Sequence, residues 1–265
     1  MNKPVDPQTG YKRPTVVNMS FGSEIPVYQI SGGVYRGTPW TGTALRPDLG
    51  MVSALTGFKY APLDTDVQEM LDAGIHVCVA AGNNSYKADV PGGLDYNNYY
   101  EDYYGINYYH RGSSPHAPGV VYVGSTDSVV YDSLTEQKAE YSVCGALVDI
   151  YAPGTHVMSS YIYGDEYYAD TDFYQANLSG TSMAAPQVAG MISLYLQLNP
   201  WATPAQVKTW LTTHSESVIY TTGSDTDYTN PRSLLGGSNM FMFNPFNQAV
   251  PLRSLGPVGW TGVIL

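Results

Sequence analysis

The chain has 265 residues, 43% hydrophobic and only 13% charged, with a formal net charge of -11; this composition suits one large globular α/β domain and excludes a disordered or coiled-coil chain. Only 12 Lys and Arg are spread along this acidic chain, which argues against nucleic acid or an anionic membrane as partner, because phosphates are bound by clustered cations. No apolar run reaches the roughly 18 residues that span a bilayer, and the opening MNKPVDPQTGYKRP lacks the apolar stretch of a secretion signal.

In chain order, TVVNMSFG (15–22) is a short apolar run ending in small residues, as in a buried strand that opens into a loop. Residues 26–57, rich in Gly, Pro, Thr and Ser, read as surface loop. APLDTDVQEMLDAG (61–74) carries acids in its first turn, apolar Val67, Met70 and Leu71 at helical spacing, and Gly74 at the C-terminal cap. IHVCVAAGNN and GVVYVGSTD (119–127) read as strands of a parallel α/β sheet. Between them, residues 84–118 hold eight tyrosines without a clear period. That stretch reads either as an ordered loop packing its rings on the domain or as a surface for a glycan or protein partner. LVDIYAPG (147–154) is a further strand and turn, and 164–171 reads as a hairpin tip. SMAAPQVAGMISLYLQL (182–198) has no charged residue, so as a helix it is expected to be buried nearly all round. TPAQVKTWLTTH follows with Thr203 as N-cap, Pro204 at the first helical position and Gln206 closing a capping box. Cys78 and Cys144 lie in apolar runs and read as small core residues, not as a disulfide framework.

The chemistry concentrates in NLSGTSMAAPQVAG (177–190). Ser182 falls in the first turn of the apolar helix, where unpaired N–H groups and the helix dipole favour developing negative charge. Gly180 admits a close backbone approach there. Alone, such a serine is an N-cap. VAAGNN places Asn83 at the C-terminal end of a parallel strand, where ligands bind in open α/β sheets and where a side-chain amide can donate to an oxyanion. Alone, such an Asn is a turn residue.

Taken together and in this order, VVNMSFG, AAGN, APG and GTSMAAPQVAG resemble the subtilisin-like serine proteases over roughly residues 15–212. The resemblance implies a three-layer α/β fold with a mostly parallel central sheet and a buried helix after the nucleophile. It makes Ser182 the nucleophile and Asn83 the partner of the Ser182 N–H in the oxyanion hole. Ser20, Phe21 and Gly22 would hydrogen-bond an extended substrate, while Ala80, Ala81 and Gly82 would line the primary specificity pocket. Two departures stand out. Gln187 occupies a position where the family very often has His, and the Tyr-rich stretch replaces the pocket wall after Asn83, so the preference for the residue before the scissile bond does not carry over.

In the family's order the catalytic Asp and His precede the VVNMSFG strand. Here fourteen residues precede it, with Asp6 and no His. None of the five histidines, His76, His110, His116, His156 and His214, fits the family position; PGTHV around His156 echoes a motif but falls after the APG turn. The expectation is therefore a subtilisin-like domain over 1–248 whose N-terminal portion is missing, with 84–118 as an insertion and 249–265 as an apolar tail. Such a chain would expose an apolar sheet edge and would need an upstream Asp/His-bearing segment or partner chain to hydrolyse peptides. The alternative is a non-catalytic module binding an extended peptide, or a glycan through the tyrosines. No cofactor is expected for the chemistry, and a structural calcium, frequent in the family, has no ligand spacing here to place it. A fainter, short likeness to subtilisin-like domains in structural proteins of tailed phages suggests an extracellular or virion-associated setting.

Overall fold

The computed structural model describes residues 12–42, 53–103, 105–128, 136–161, 175–221 and 228–242, with Val5, Pro7 and Gly10. Asp6, the expected hairpin tip at 164–171 and the tail at 249–265 lie outside the described residues. In chain order the strands are β1 (Val16–Met19), β2 (Glu24–Pro26), β3 (Gly32–Tyr35), β4 (Thr38–Thr41), β5 (Leu55–Gly57), β6 (His76–Ala80), β7 (Tyr99–Asp102), β8 (Gly105–Asn107), β9 (Val121–Ser128), β10 (Glu136–Lys138), β11 (Ile150–Pro153), β12 (Val157–Ser160) and β13 (Gln175–Leu178). The helices are α1 (Ala61–Asp72), α2 (Thr181–Leu198) and α3 (Pro204–Thr213).

β1, β6, β9 and β11 run parallel in one sheet, with β10 antiparallel to the end of β9. The alternation within β6 builds three layers. Val77 and Val79 enter one core with Val67 and Leu71 of α1, and Cys78 and Ala80 enter the other with α2 and α3. A parallel strand covered on both faces is apolar at every position, and all five residues of β6 are buried. Cys78 and Cys144 are free, buried thiols, as expected of core residues. α3 carries the full capping box between Thr203 and Gln206.

Three expectations are corrected. Residues 26–57 are not featureless loop: β3 and β4 form a hairpin that joins β7 and β8 in a four-stranded antiparallel sheet. The Tyr-rich stretch is therefore half of a small sheet, and its rings close a third core. Tyr100 and Tyr109 are fully buried there against Ile25, Val27, Ile30 and Trp40. The Gly, Thr and Tyr content hid the strands because their apolar face is built from ring carbons instead of aliphatic side chains.

The third correction concerns α2. Pro186, Gly190, Ser193 and Gln197 are exposed, and their spacing draws one open stripe along the helix. Absence of charge concealed this face, because its residues are small or neutral and not large and apolar. β1, at the end of the sheet, is likewise only half covered at Val16, Val17 and Met19. α2 packs against β1, so the helix that carries the stripe lies on the strand at the end of the sheet.

Candidate active site

The site lies at the C-terminal ends of β1 and β6, where the first turn of α2 meets both. Gly180 caps the helix, Thr181 and Ser182 begin it, and Pro186 sits inside it. A proline at 186 offers no N–H to the carbonyl four residues back, so Ser182 O lacks its helical partner. Ser20 Oγ fills that vacancy, donating to Ser182 O at 2.8 Å. Ser182 Oγ returns a bond to Ser20 O at 3.0 Å, and Asn18 Nδ2 donates to Ser20 Oγ at 2.9 Å. The first turn of α2 is thus stitched to the chain just beyond β1.

Among the described residues, Asn83 is held through its Oδ1 end. Its Oδ1 accepts from Thr181 N and Thr181 Oγ1, both at 2.9 Å, and Thr181 Oγ1 in turn accepts from Gly82 N at 3.1 Å. With the carbonyl end committed to two donors, the amide orientation is fixed and Nδ2 is the end left to donate. A Cβ at Gly180 would stand 3.3 Å from Asn83 Nδ2, so glycine keeps open the space beside the amide at the start of α2.

The turn at 153–154 braces the same region. Gln187 Nε2 donates to Pro153 O at 2.5 Å and to Met183 O at 3.2 Å, while Gly180 N donates to Gly154 O at 2.8 Å. A Cβ at Gly154 would meet Ser125 Oγ at 2.2 Å and Gly180 O at 2.7 Å, which explains the glycine of APG. The amide of Gln187 therefore ties the helix to the turn.

Of the residues expected to line a substrate, Phe21 is 53% exposed and Gly22 is also exposed beyond the end of β1. The methyls of Ala80 and Ala81 enter the two cores on either side of the sheet. Residues 80–82 can therefore meet a ligand chiefly through backbone. Tyr122 OH already donates to Ala81 O at 3.0 Å. Sequence reasoning missed Thr181 as the residue that orients Asn83, although it stands inside the quoted motif; nothing in a linear sequence links it to residue 83.

No histidine hydrogen-bonds Ser182 among the described residues. His110 is completely buried, with Nδ1 donating to Lys87 O at 2.6 Å, and burial pushes its pKa down to about 4. Burial lowers that of His116 to about 3, with Lys59 adding to the effect, and its ring lies edge-on to Tyr122. His76 is buried at the start of β6. His156 is exposed before β12, and His214 caps α3. Among the described residues, no group of three or more His, Cys, Asp or Glu could hold a metal ion.

The candidate site is thus a serine in the first turn of a central helix of a three-layer α/β domain, with a glycine-cleared space and an oriented amide beside the start of that helix. The subtilase family profile (peptidase S8) matches residues 6–237, and the chain belongs to that family. A cuticle-degrading serine protease of Arthrobotrys oligospora is 31% identical over 71% of this chain and 38% of its own length. Alkaline serine exoprotease A of Vibrio alginolyticus is 31% identical over 67% of this chain and 27% of its own. The crystal structure of a cold-adapted subtilisin-like serine proteinase superposes with a TM-score of 0.52 at 25% identity, covering 89% of this chain and 57% of that one. The chain spans less than two fifths of the length of these curated relatives.

Proposed function

We propose that this chain is the nucleophile-bearing part of a serine endopeptidase, completed by an Asp/His-bearing segment from upstream or from a second polypeptide. The observation that carries the reading is the clamp of Thr181 on Asn83 Oδ1, an arrangement that serves an oxyanion donor and that a simple turn residue does not require. In the completed site an imidazole takes the Ser182 Oγ proton as Oγ attacks the peptide carbonyl. The carbonyl oxygen becomes an oxyanion, received by Asn83 Nδ2 and the Ser182 N–H. Collapse expels the amine, protonated by the same imidazole, and water then hydrolyses the acyl ester. No cofactor enters these steps. The completing segment would cover the open stripe of α2 and the free edge of β1, both next to Ser182.

The substrate is an extended peptide paired along residues 20–22. Relatives named for cuticle degradation and as an exoprotease support an extracellular setting, with a virion-associated one as the narrower variant of the same proposal. No described helix is long and apolar enough to cross a membrane. A second reading, a non-catalytic peptide- or glycan-binding module, is favoured by one fact: Ser182 Oγ donates to a backbone carbonyl and not to a base. Fluorophosphonate labelling, with peptide mapping at Ser182, separates the two. Labelling only when the upstream segment is present supports the peptidase. Absence of labelling despite demonstrated association of the two parts supports the binding module.

A further inference from the structure

Lys138, the last residue of β10, is only 1% exposed. An ammonium is costly to bury, and the usual remedy is a carboxylate partner. Three backbone carbonyls take that place here: Nζ donates to Ala139 O at 2.9 Å, to Ser142 O at 3.0 Å and to Glu140 O at 3.5 Å. Three acceptors call for three N–H donors, which the ammonium has and the neutral amine lacks. The carbonyls belong to one turn, closed by Ser142 N donating to Ala139 O at 3.0 Å. Carbonyl dipoles that converge in this way repel one another unless a cation stands between them, as in filters where carbonyl oxygens replace the hydration shell of potassium.

The turn is bonded to both halves of the candidate site. Towards the Asn83 segment, Val143 N donates to Gly82 O at 3.0 Å, Ser85 N to Tyr141 O at 2.9 Å and Ser85 Oγ to Glu140 O at 2.7 Å. Towards the first turn of α2, Tyr141 OH donates to Gly154 O at 2.9 Å, and the same carbonyl accepts from Gly180 N at 2.8 Å. Glu140 O therefore receives Lys138 and Ser85 together.

We propose that the 139–142 turn is a monovalent-cation site filled by the chain's own Lys138, and that this tethered ammonium positions the Asn83 segment. The oxygens of the site are neutral and few, which suits a singly charged ion of ammonium size. Calcium takes about six to eight oxygens, carboxylates among them. The inference goes beyond the peptidase reading and does not depend on it.

The test compares the full 265-residue chain with Lys138→Ala in thermal melts at equal ionic strength, in the chlorides of ammonium, potassium, propylammonium, calcium and tetramethylammonium. The readout is the gap in midpoint between the two proteins in each salt, which cancels general salt effects. In tetramethylammonium, which is bulky and has no N–H, the gap is expected to be at least about 5 °C. Ammonium, potassium and propylammonium, the last replacing the excised part of the lysine, are expected to close about half of it or more, and calcium none. Lys138→Met keeps the stem and loses only the charged end; it is expected to show a gap of similar size in tetramethylammonium and serves for both measurements if the alanine chain does not fold. In proton–nitrogen NMR spectra the Asn83 side-chain amide, assigned by its loss in Asn83→Ala, is expected to shift in Lys138→Ala and to return with ammonium, a reversal that lost packing would not give. A gap that is equal in every salt, or a methionine chain that melts with or above the unmodified one, overturns the cation site. An Asn83 amide that does not move overturns the positioning role. None of these readouts uses catalysis, so the result stands apart from the fate of the peptidase reading.

Discussion

Thr181→Val tests the clamp on Asn83 without requiring activity. Thr181 is completely buried, and valine preserves its shape while removing the hydroxyl. Two interactions disappear: the Oγ1 donation to Asn83 Oδ1 at 2.9 Å and the acceptance from Gly82 N at 3.1 Å. Asn83 Oδ1 retains the Thr181 N–H, so that loss costs about 1 kcal/mol, whereas the Gly82 N–H, left unpartnered, costs about 1–3 kcal/mol. The expected loss is therefore about 2–4 kcal/mol, or roughly 5–15 °C in thermal midpoint for a chain of this size. Thr181→Ser is the control. It keeps both bonds and removes one methyl, at a cost of about 1 kcal/mol. Circular dichroism melts of the three proteins under one buffer decide the matter. If the valine protein melts with or above the serine protein, the hydroxyl is not a structural tie and the argument for a fixed Asn83 amide fails.

Asn83→Ala is expected to slow acylation of Ser182 in the completed assembly by about 100- to 1,000-fold, the range found for the equivalent loss in subtilisin; labelling at a near-normal rate would falsify the oxyanion assignment. The chain alone should be nearly inert, because a site lacking triad members retains only about 10³–10⁴ over the uncatalysed rate, and robust peptide hydrolysis by the purified chain contradicts this. At Gly190 a Cβ meets nothing within 4 Å. Gly190→Ala should accordingly stabilise the isolated chain by about 0.5–1 kcal/mol, while Gly190→Trp should leave it folded and weaken association with the completing segment in a pull-down titration. His110 is buried and its folded pKa of about 4 lies below the ordinary 6.5, so the unfolded chain binds the proton more readily. Stability is then fully present above pH 6.5 and falls as the pH drops from there towards 4, by on the order of 3 kcal/mol. His110→Gln should flatten that part of the urea-stability profile, and an unchanged slope would exclude His110 as its source.

The central layers were legible because periodicity and packing coincide in them. Val77 and Val79 alternate with Cys78 and Ala80 in one run, and both faces of a parallel strand require apolar residues. The capping box at Thr203 was legible for a local reason, since its partners are three residues apart. The strands at 32–41 and 99–107 were not, because their buried positions are two glycines and the rings of Trp40 and Tyr100, which do not show the alternating aliphatic pattern of a strand. Nor was the open stripe on α2: its small neutral residues suit either a covered or an exposed face, and only the neighbouring elements decide which.

At the site, the sequence by itself singled out the candidate groups: Ser182 in the first turn of an uncharged helix, Asn83 beyond an apolar strand, and no histidine at the family position. Tertiary structure alone decided how they are held. Thr181 lies 98 residues from Asn83 along the chain and Ser20 lies 162 from Ser182; hydrogen bonds over such separations depend on where the sheet and helix place their ends. The hydrogen bond from Tyr122 OH to Ala81 O has the same origin, because it joins segments that no local rule of spacing brings together.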